Sequence, residues 1–368
     1  MILSKYPNLV LKEIFDHMEY SDLFILSFAS KNIRKMIRWS QKERFITIRS
    51  IEYFFDNNWE PPLVHVHSKR GSESIMDLRN PRRDRNDIFQ LNVSGKIIDF
   101  QLCTNKKRAM ASYQESENES VIVSIQNYLL DFFGSSMQYH WRFGYLQHYF
   151  IPRLKNVSFC IDICLEEDLK EMEKLETFFS SSPVFKWIGL KTMSTIKPFT
   201  PESKLYQAES IRISQFWDNF SLSAILRHFK GRQATVMCDR WENSEELIEF
   251  VNRWKSGEAF QKLEHLKFKF NRNEILDKGF LNEIGVKCID ATKQPPTHTL
   301  PKVYNWYYQQ TEPTTDPIIS HTYVVRATDN RVASILIQED MSRSGEWIET
   351  IYFGVWDKTE EEFLKLID

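Results

Sequence analysis

Glycine is scarce in this chain: 11 among 368 residues, with none in the first 45. That shortage argues against Gly-rich loops whose exposed amides cradle phosphates. The P-loop, the dinucleotide fingerprint, the nucleophile elbow and the HExxH zinc helix are all missing. Long apolar runs are missing as well, and no stretch of about 18 apolar residues offers a membrane-spanning helix. The N-terminus, MILSKYPNLVLKEIF, has neither a leader-length apolar core nor a small-residue cleavage site. The five cysteines, Cys103, Cys160, Cys164, Cys238 and Cys288, are odd in number and too scattered for a disulfide framework. They point to a reducing compartment, cytoplasmic or nuclear. No charge of one sign dominates, since 48 Lys and Arg face 50 Asp and Glu. Without a net field to hold nucleic acid or an anionic membrane, the expected partners are proteins.

What the chain does have is ring-bearing apolar residues. Aromatics make up 14%, including 27 Phe and 10 Trp, enough for a core rich in rings. The length has room for two domains or three small ones. In the first 45 residues Leu9, Val10, Ile14 and Met18 recur at the three- and four-residue spacings of one helix face. Ser21 and Asp22 stand where a second helix would start, and Leu23, Leu26, Phe28, Ala29, Ile33 and Ile37 continue the pattern. A compact helical hairpin or trio is expected.

From residue 45 to 115 short β-like runs alternate with polar loops: 44–51, 63–67, 88–93 and 96–103, with a charged loop around 81–85. The spacing predicts a helix over 121–133, ended by Gly134. Beyond 150 the pattern is strand, loop, helix, repeated. Strand-like runs at 157–163, 185–190, 210–216, 234–239 and 263–270 start roughly 24–29 residues apart, with helices expected at 167–180, 222–229 and 244–255. Parallel strands with crossover helices would build a curved α/β layer, leucine-rich-repeat-like in period though not in consensus; a compact sandwich is the other possibility. After the prolines at 295, 296, 301, 313 and 317 the pattern predicts a hairpin of 322–327 with 332–338. A strand at 347–356 and an acidic helix from Thr359 follow.

The stretch YPNLVLKEIFDHMEYSDLFILSFASKNIRKMIR, from Tyr6, resembles an F-box. The early Pro7, the pairs Leu9/Val10 and Ile14/Phe15, Met18, Asp22-Leu23, Leu26, Ser27, Ser30, Lys31 and Ile33 carry the likeness. The resemblance implies a trihelical module that docks on a Skp-type adaptor linked to a cullin, through Pro7, Leu9, Val10, Ile14, Phe15, Leu23 and Leu26. The middle of the chain resembles the type 2 F-box-associated domain of the nematode F-box family. That likeness rests on Phe185 to Ile188, Ile211 to Ser214, Leu226 to Arg232, Phe250, Trp254, Gly257 and Lys262 to Glu264. The tail residues Ala333 to Ile337, Phe353, Val355 and Trp356 fit it too. This implies substrate binding without catalysis.

The expected organisation is therefore α+β: an F-box over 1–45, a mixed α/β linker subdomain over 46–149, the F-box-associated α/β region over 150–290, and a C-terminal hairpin and cap over 291–368. If the strands are parallel, alternation turns Val157, Phe159, Ile161, Ile163, Ile211, Ile213, Leu266, Phe268 and Phe270 inward. The other face would carry Cys160 and the candidate substrate-binding residues Asp162, Arg212, Ser214, His265, Lys267 and Lys269. The run His228 to Arg232 is expected to end a helix with Gly231 as a left-handed cap. Cys160 and Cys164 are poorly spaced on a strand for zinc, and His65 and His67 flank Val66 without nearby cysteines, so no metal is expected. No catalytic residue and no cofactor is expected. The sequence thus points to a non-catalytic adaptor of an SCF-type ubiquitin ligase, with a Skp-type adaptor, a cullin and an unknown protein substrate as partners and neither nucleic acid nor membrane. A non-degradative scaffold that retains an F-box is the alternative.

Overall fold

The computed structural model describes residues 6–55, 63–79, 88–103, 108–143, 152–165, 169–192, 199–215, 220–240, 244–272, 279–304, 313–341 and 347–367. The charged loop expected at 81–85 lies outside them. The chain divides once by compactness, into residues 1–160 and 161–368. The N-terminal helices and the strands that follow them belong to the same unit.

The first unit opens with helices α1 (Asn8–Asp16), α2 (Tyr20–Leu26), α3 (Lys31–Ser40) and α4 (Lys42–Ile46). Strands β1 (Ile48–Phe55), β2 (Leu63–Ser68), β3 (Gly71–Arg79), β4 (Ile88–Val93), β5 (Lys96–Cys103) and β6 (Arg108–Ser112) follow, then α5 (Asn118–Phe133) and β7 (Gln138–Phe143). In the sheet they run β7-β1-β2-β3-β6-β5-β4. Pairing is antiparallel except at β1/β7 and β3/β6. Alternation sends Ile51, Tyr53, Val64, Val66, Tyr139 and Trp141 into the interior. Tyr53 donates to Gln126 of α5 at 2.8 Å, and Tyr139 donates to the Gly134 carbonyl at its end at 2.8 Å. Gly134, at φ 109°, closes α5 as expected.

The N-terminal helices are built onto this layer. Phe28 stacks on Tyr128 of α5 at 4.1 Å, Phe24 meets the same ring edge-on at 5.8 Å, and Ser27 Oγ lies 2.7 Å from the Tyr128 hydroxyl. Arg34 pairs with Asp131 at 3.0 Å. At the start of α2, Tyr20 and Ser21 donate their amides to the Glu73 carboxylate of β3 at 3.0 and 2.7 Å. A side chain on a strand thus supplies the capping acceptor that α2 lacks locally, since Glu19 makes no side-chain cap.

Strand β8 (Val157–Leu165) runs across the division point. The second unit contains α6 (Leu169–Ser181), β9 (Trp187–Thr192), β10 (Ser210–Gln215), α7 (Phe220–His228), β11 (Gln233–Arg240), α8 (Ser244–Ser256) and β12 (His265–Arg272). It continues with α9 (Gly279–Glu283), β13 (Lys287–Cys288), β14 (Thr297–His298), β15 (Ile318–Ile319), β16 (Thr322–Val325), β17 (Arg331–Met341), β18 (Trp347–Thr359) and α10 (Glu360–Leu364). Strands β9 to β12 are parallel neighbours, as the repeat predicts. Ile211, Ile213, Leu266, Phe268 and Phe270 point inward, with Phe250 of α8 packed edge-on against Phe268 and Phe353. The expected hairpin forms, β16 against β17, and the further strand β18 pairs antiparallel with both β17 and β12. Thr359 and Glu362 form a reciprocal capping box at α10.

Two expectations are corrected. Cys160 is fully buried and does not share an open face. Gly231 does not take the left-handed conformation of a helix cap. A Cβ there would stand 2.0 Å from the Ala208 carbonyl oxygen and 2.5 Å from the Phe229 ring, so the glycine serves close backbone approach.

Candidate functional site

Helix α1 is apolar on two sides. Leu11 and Phe15, one turn apart, are buried in the first unit. Leu9 is 80% exposed, Val10 42% and Ile14 37%, and these carry the opposite side. Pro7 precedes the first turn with φ −55°, a value its ring imposes and the helix start can use. Two further helices repeat the division. In α3, Ile37 is buried while Trp39 is 68% exposed; in α4, Phe45 is buried and Ile46 stands in solvent. Since α1 packs on α3 and α3 on α4, the four-helix segment offers more apolar surface than its own unit covers.

The sequence-predicted docking residues therefore separate. Pro7, Leu9, Val10 and Ile14 are exposed and Leu26 is half-buried. Phe15 and Leu23 are corrected: both have no exposed surface and belong to the interior that holds the helices on the sheet. Trp39 and Ile46 were missed. Trp39 sits two residues beyond Ile37, about 200° further round the helix, and an apolar ring so far off the buried stripe was the available signal.

The second candidate surface is the face of β9 to β12 opposite the inward residues that Phe250 of α8 packs against. Cross-strand register places Arg212, Thr235, Lys267 and Tyr352 in one row, and Ser214, Met237, Lys269 and Thr350 in the next. Asp162 lies over Gly189, whose missing Cβ would stand 2.3 Å from its Oδ1. Asp162, Arg212, Ser214, Lys267 and Lys269 are half-buried, so five of the six predicted residues come together on one face. His265 is corrected: it lies in the row below and is covered. The cover is the segment around β14 and β15. Gln233, beside His265, donates to the Pro301 carbonyl at 2.9 Å and accepts from the Val303 amide at 3.0 Å. His298 Nε2 lies 3.0 Å from the Val355 carbonyl. Burial, with His298 nearby, lowers the His265 pKa to about 4.

The first unit also holds a buried polar cluster. Glu52 lies 2.8 Å from His67 Nε2 and accepts from Arg142 at 3.4 Å; His65 stacks near His67, with its Nδ1 3.1 Å from Ser74 Oγ. Arg142 covers the Phe54 ring at 4.3 Å. Burial, with His67 nearby, lowers the His65 pKa to about 4. All of Glu52, His67 and Arg142 are sealed from solvent, so the cluster acts as a polar layer within the fold.

Residues 7–45, which span α1 to α3 and most of α4, match the F-box domain. The match supports an F-box protein, with N-terminal helices ahead of a large, sheet-rich α/β region. F-box proteins are generally non-catalytic, and their F-box typically binds a Skp-type adaptor within an SCF complex. No curated protein and no solved structure matches the chain.

Proposed function

We propose that this chain is the substrate-selecting adaptor of an SCF-type cullin-RING ubiquitin ligase, working in the cytoplasm or nucleus. The F-box docks on the Skp-type adaptor, and through it on the cullin, by Pro7, Leu9, Val10, Ile14 and the half-buried Leu26. The second unit, read as a type 2 F-box-associated domain of the nematode kind with a leucine-rich-repeat-like layer, holds a target protein. Its contribution to the reaction is proximity: the target is kept near a separate ubiquitin-conjugating enzyme, raising the effective concentration of the reacting groups. This chain supplies no nucleophile or acid to that step.

The observation that carries the reading is the exposed apolar side of α1 inside the segment that matches the F-box. A surface that is apolar and outward on a helix already anchored by Leu11 and Phe15 is suited to a helical partner. The test is co-elution of the full chain with purified Skp-type adaptor, comparing wild type with Leu9→Glu/Ile14→Glu. Both positions are exposed, so the variant keeps its fold, and complex formation falls at least 100-fold. A folded wild-type chain that does not bind the adaptor removes the reading.

A further inference from the structure

The open face of the second unit carries three cations, Arg212, Lys267 and Lys269, with Asp162 over Gly189 in the cross-strand row of Arg212. Arg212 stands two strands from Lys267 in one cross-strand row, and Lys269 is the next residue on that face of β12. Neighbouring strands are about 4.8 Å apart and alternate residues about 6.7 Å apart, so the three cations form a triangle with sides of about 7–12 Å. Arg212 and Lys269 make no ion pair among the described residues. Lys267 does: its Nζ donates to Asp316 Oδ2 at 2.5 Å. Asp316 comes from the covering segment, and its carboxylate is still 44% exposed. The Asp316 carboxylate is thus already seated on Lys267, beside two cations that make no ion pair among the described residues.

We propose that this face binds an extended acidic peptide segment of the target protein, with Asp316 as the internal competitor for Lys267. Calling the peptide part of a target rests on the adaptor reading; the binding itself does not. Carboxylates two residues apart on an extended peptide are spaced about 6.7 Å, which matches Lys267 and Lys269. Thr235 and Ser214, in the same two rows, add hydroxyl partners for the backbone or for neighbouring side chains. The aliphatic stems of the lysines and Met237 line the floor between the charges.

The test is fluorescence anisotropy of the full chain with a labelled eight-residue peptide of alternating serine and glutamate, against the same peptide with glutamine. The glutamate peptide binds, more weakly as salt rises, and the glutamine peptide does not. Arg212→Glu and Lys269→Glu each weaken binding at least 10-fold; Arg212→Gln and Lys269→Gln give the same direction if a reversal disturbs folding. Asp316→Asn tightens binding about 3- to 10-fold by releasing Lys267. Equal binding of both peptides, or no change on neutralising Arg212 and Lys269 in folded protein, overturns the proposal. So does a labelled single-stranded oligonucleotide that binds more tightly through the same residues, since the face would then serve nucleic acid. The Leu9→Glu/Ile14→Glu chain keeps peptide binding. Adaptor binding without peptide binding removes this inference alone, whereas peptide binding without adaptor binding removes the ligase reading alone.

Discussion

Replacing Glu73 by alanine should loosen the F-box from a position outside it. Glu73 lies in β3, 52 residues beyond Ser21, yet its carboxylate accepts the Ser21 and Tyr20 amides at 2.7 and 3.0 Å. Losing an N-terminal capping acceptor costs about 1 kcal/mol. Losing a negative charge at the positive end of α2 adds about 0.5 kcal/mol. The two amides are only partly buried, so water replaces part of what is lost, leaving about 1 kcal/mol of desolvation penalty. The expected destabilisation is about 2–3 kcal/mol for Glu73→Ala. Glu73→Gln keeps one acceptor oxygen without charge and should lose about 1 kcal/mol. Urea unfolding gives both values, and hydrogen exchange at the Tyr20 and Ser21 amides locates the effect. If Glu73→Ala stays within about 0.5 kcal/mol of wild type and those amides keep their protection, α2 does not depend on β3 and the F-box stands by itself.

Leu23→Ala and Leu9→Ala should separate folding from docking. Leu23 is sealed in the core and its truncation costs about 2–5 kcal/mol, whereas Leu9→Ala leaves the urea midpoint almost unchanged and weakens adaptor binding about 10-fold by calorimetry. Gly231→Ala should destabilise the second unit by several kcal/mol, about 3 or more, because the new Cβ meets the Ala208 carbonyl and the Phe229 ring; thermal unfolding measures it. Acid should weaken both units. His65 and His265, each lowered from 6.5 to about 4 by burial, bind protons less readily folded than unfolded. Their neutral forms support the fold fully above pH 6.5, and that support is lost as pH falls toward 4, amounting to about 3 kcal/mol for each. His265→Phe should flatten the loss for the second unit between pH 6.5 and 4; a pH profile of stability identical to wild type would refute the assignment.

Much of the local structure was legible because pattern and chemistry agreed. Strands β4 and β5 fall at 88–93 and 96–103 as expected, with Ser94 and Gly95, both at positive φ, in the turn between them. Helices α7 and α8 and hairpin β16/β17 came within a residue or two at most boundaries, since each carries its own periodicity and end signals. Strand β3 was missed, and so was β6, whose residues RAMAS include good helix formers. Pairing with β3 on one side and β5 on the other holds β6 extended against that preference. At residue 44 the expected strand gave way to α4, with β1 beginning at Ile48.

By itself the sequence determined the F-box, most of the helices and strands from residue 157 onward, the parallel alternation in β9 to β12 and the absence of a net field. Each of these depends on residues close together in the chain or on their sum. Only the tertiary structure decided which apolar residues face outward. Leu9 and Leu23 are the same residue in neighbouring helices, and one is exposed while the other is sealed, because packing against α5 and β3 covers one side of the bundle. The same holds for charge. Lys267 and Asp316 are 49 residues apart, and only the segment laid across the sheet brings them together, leaving Arg212 and Lys269 beside them without partners among the described residues.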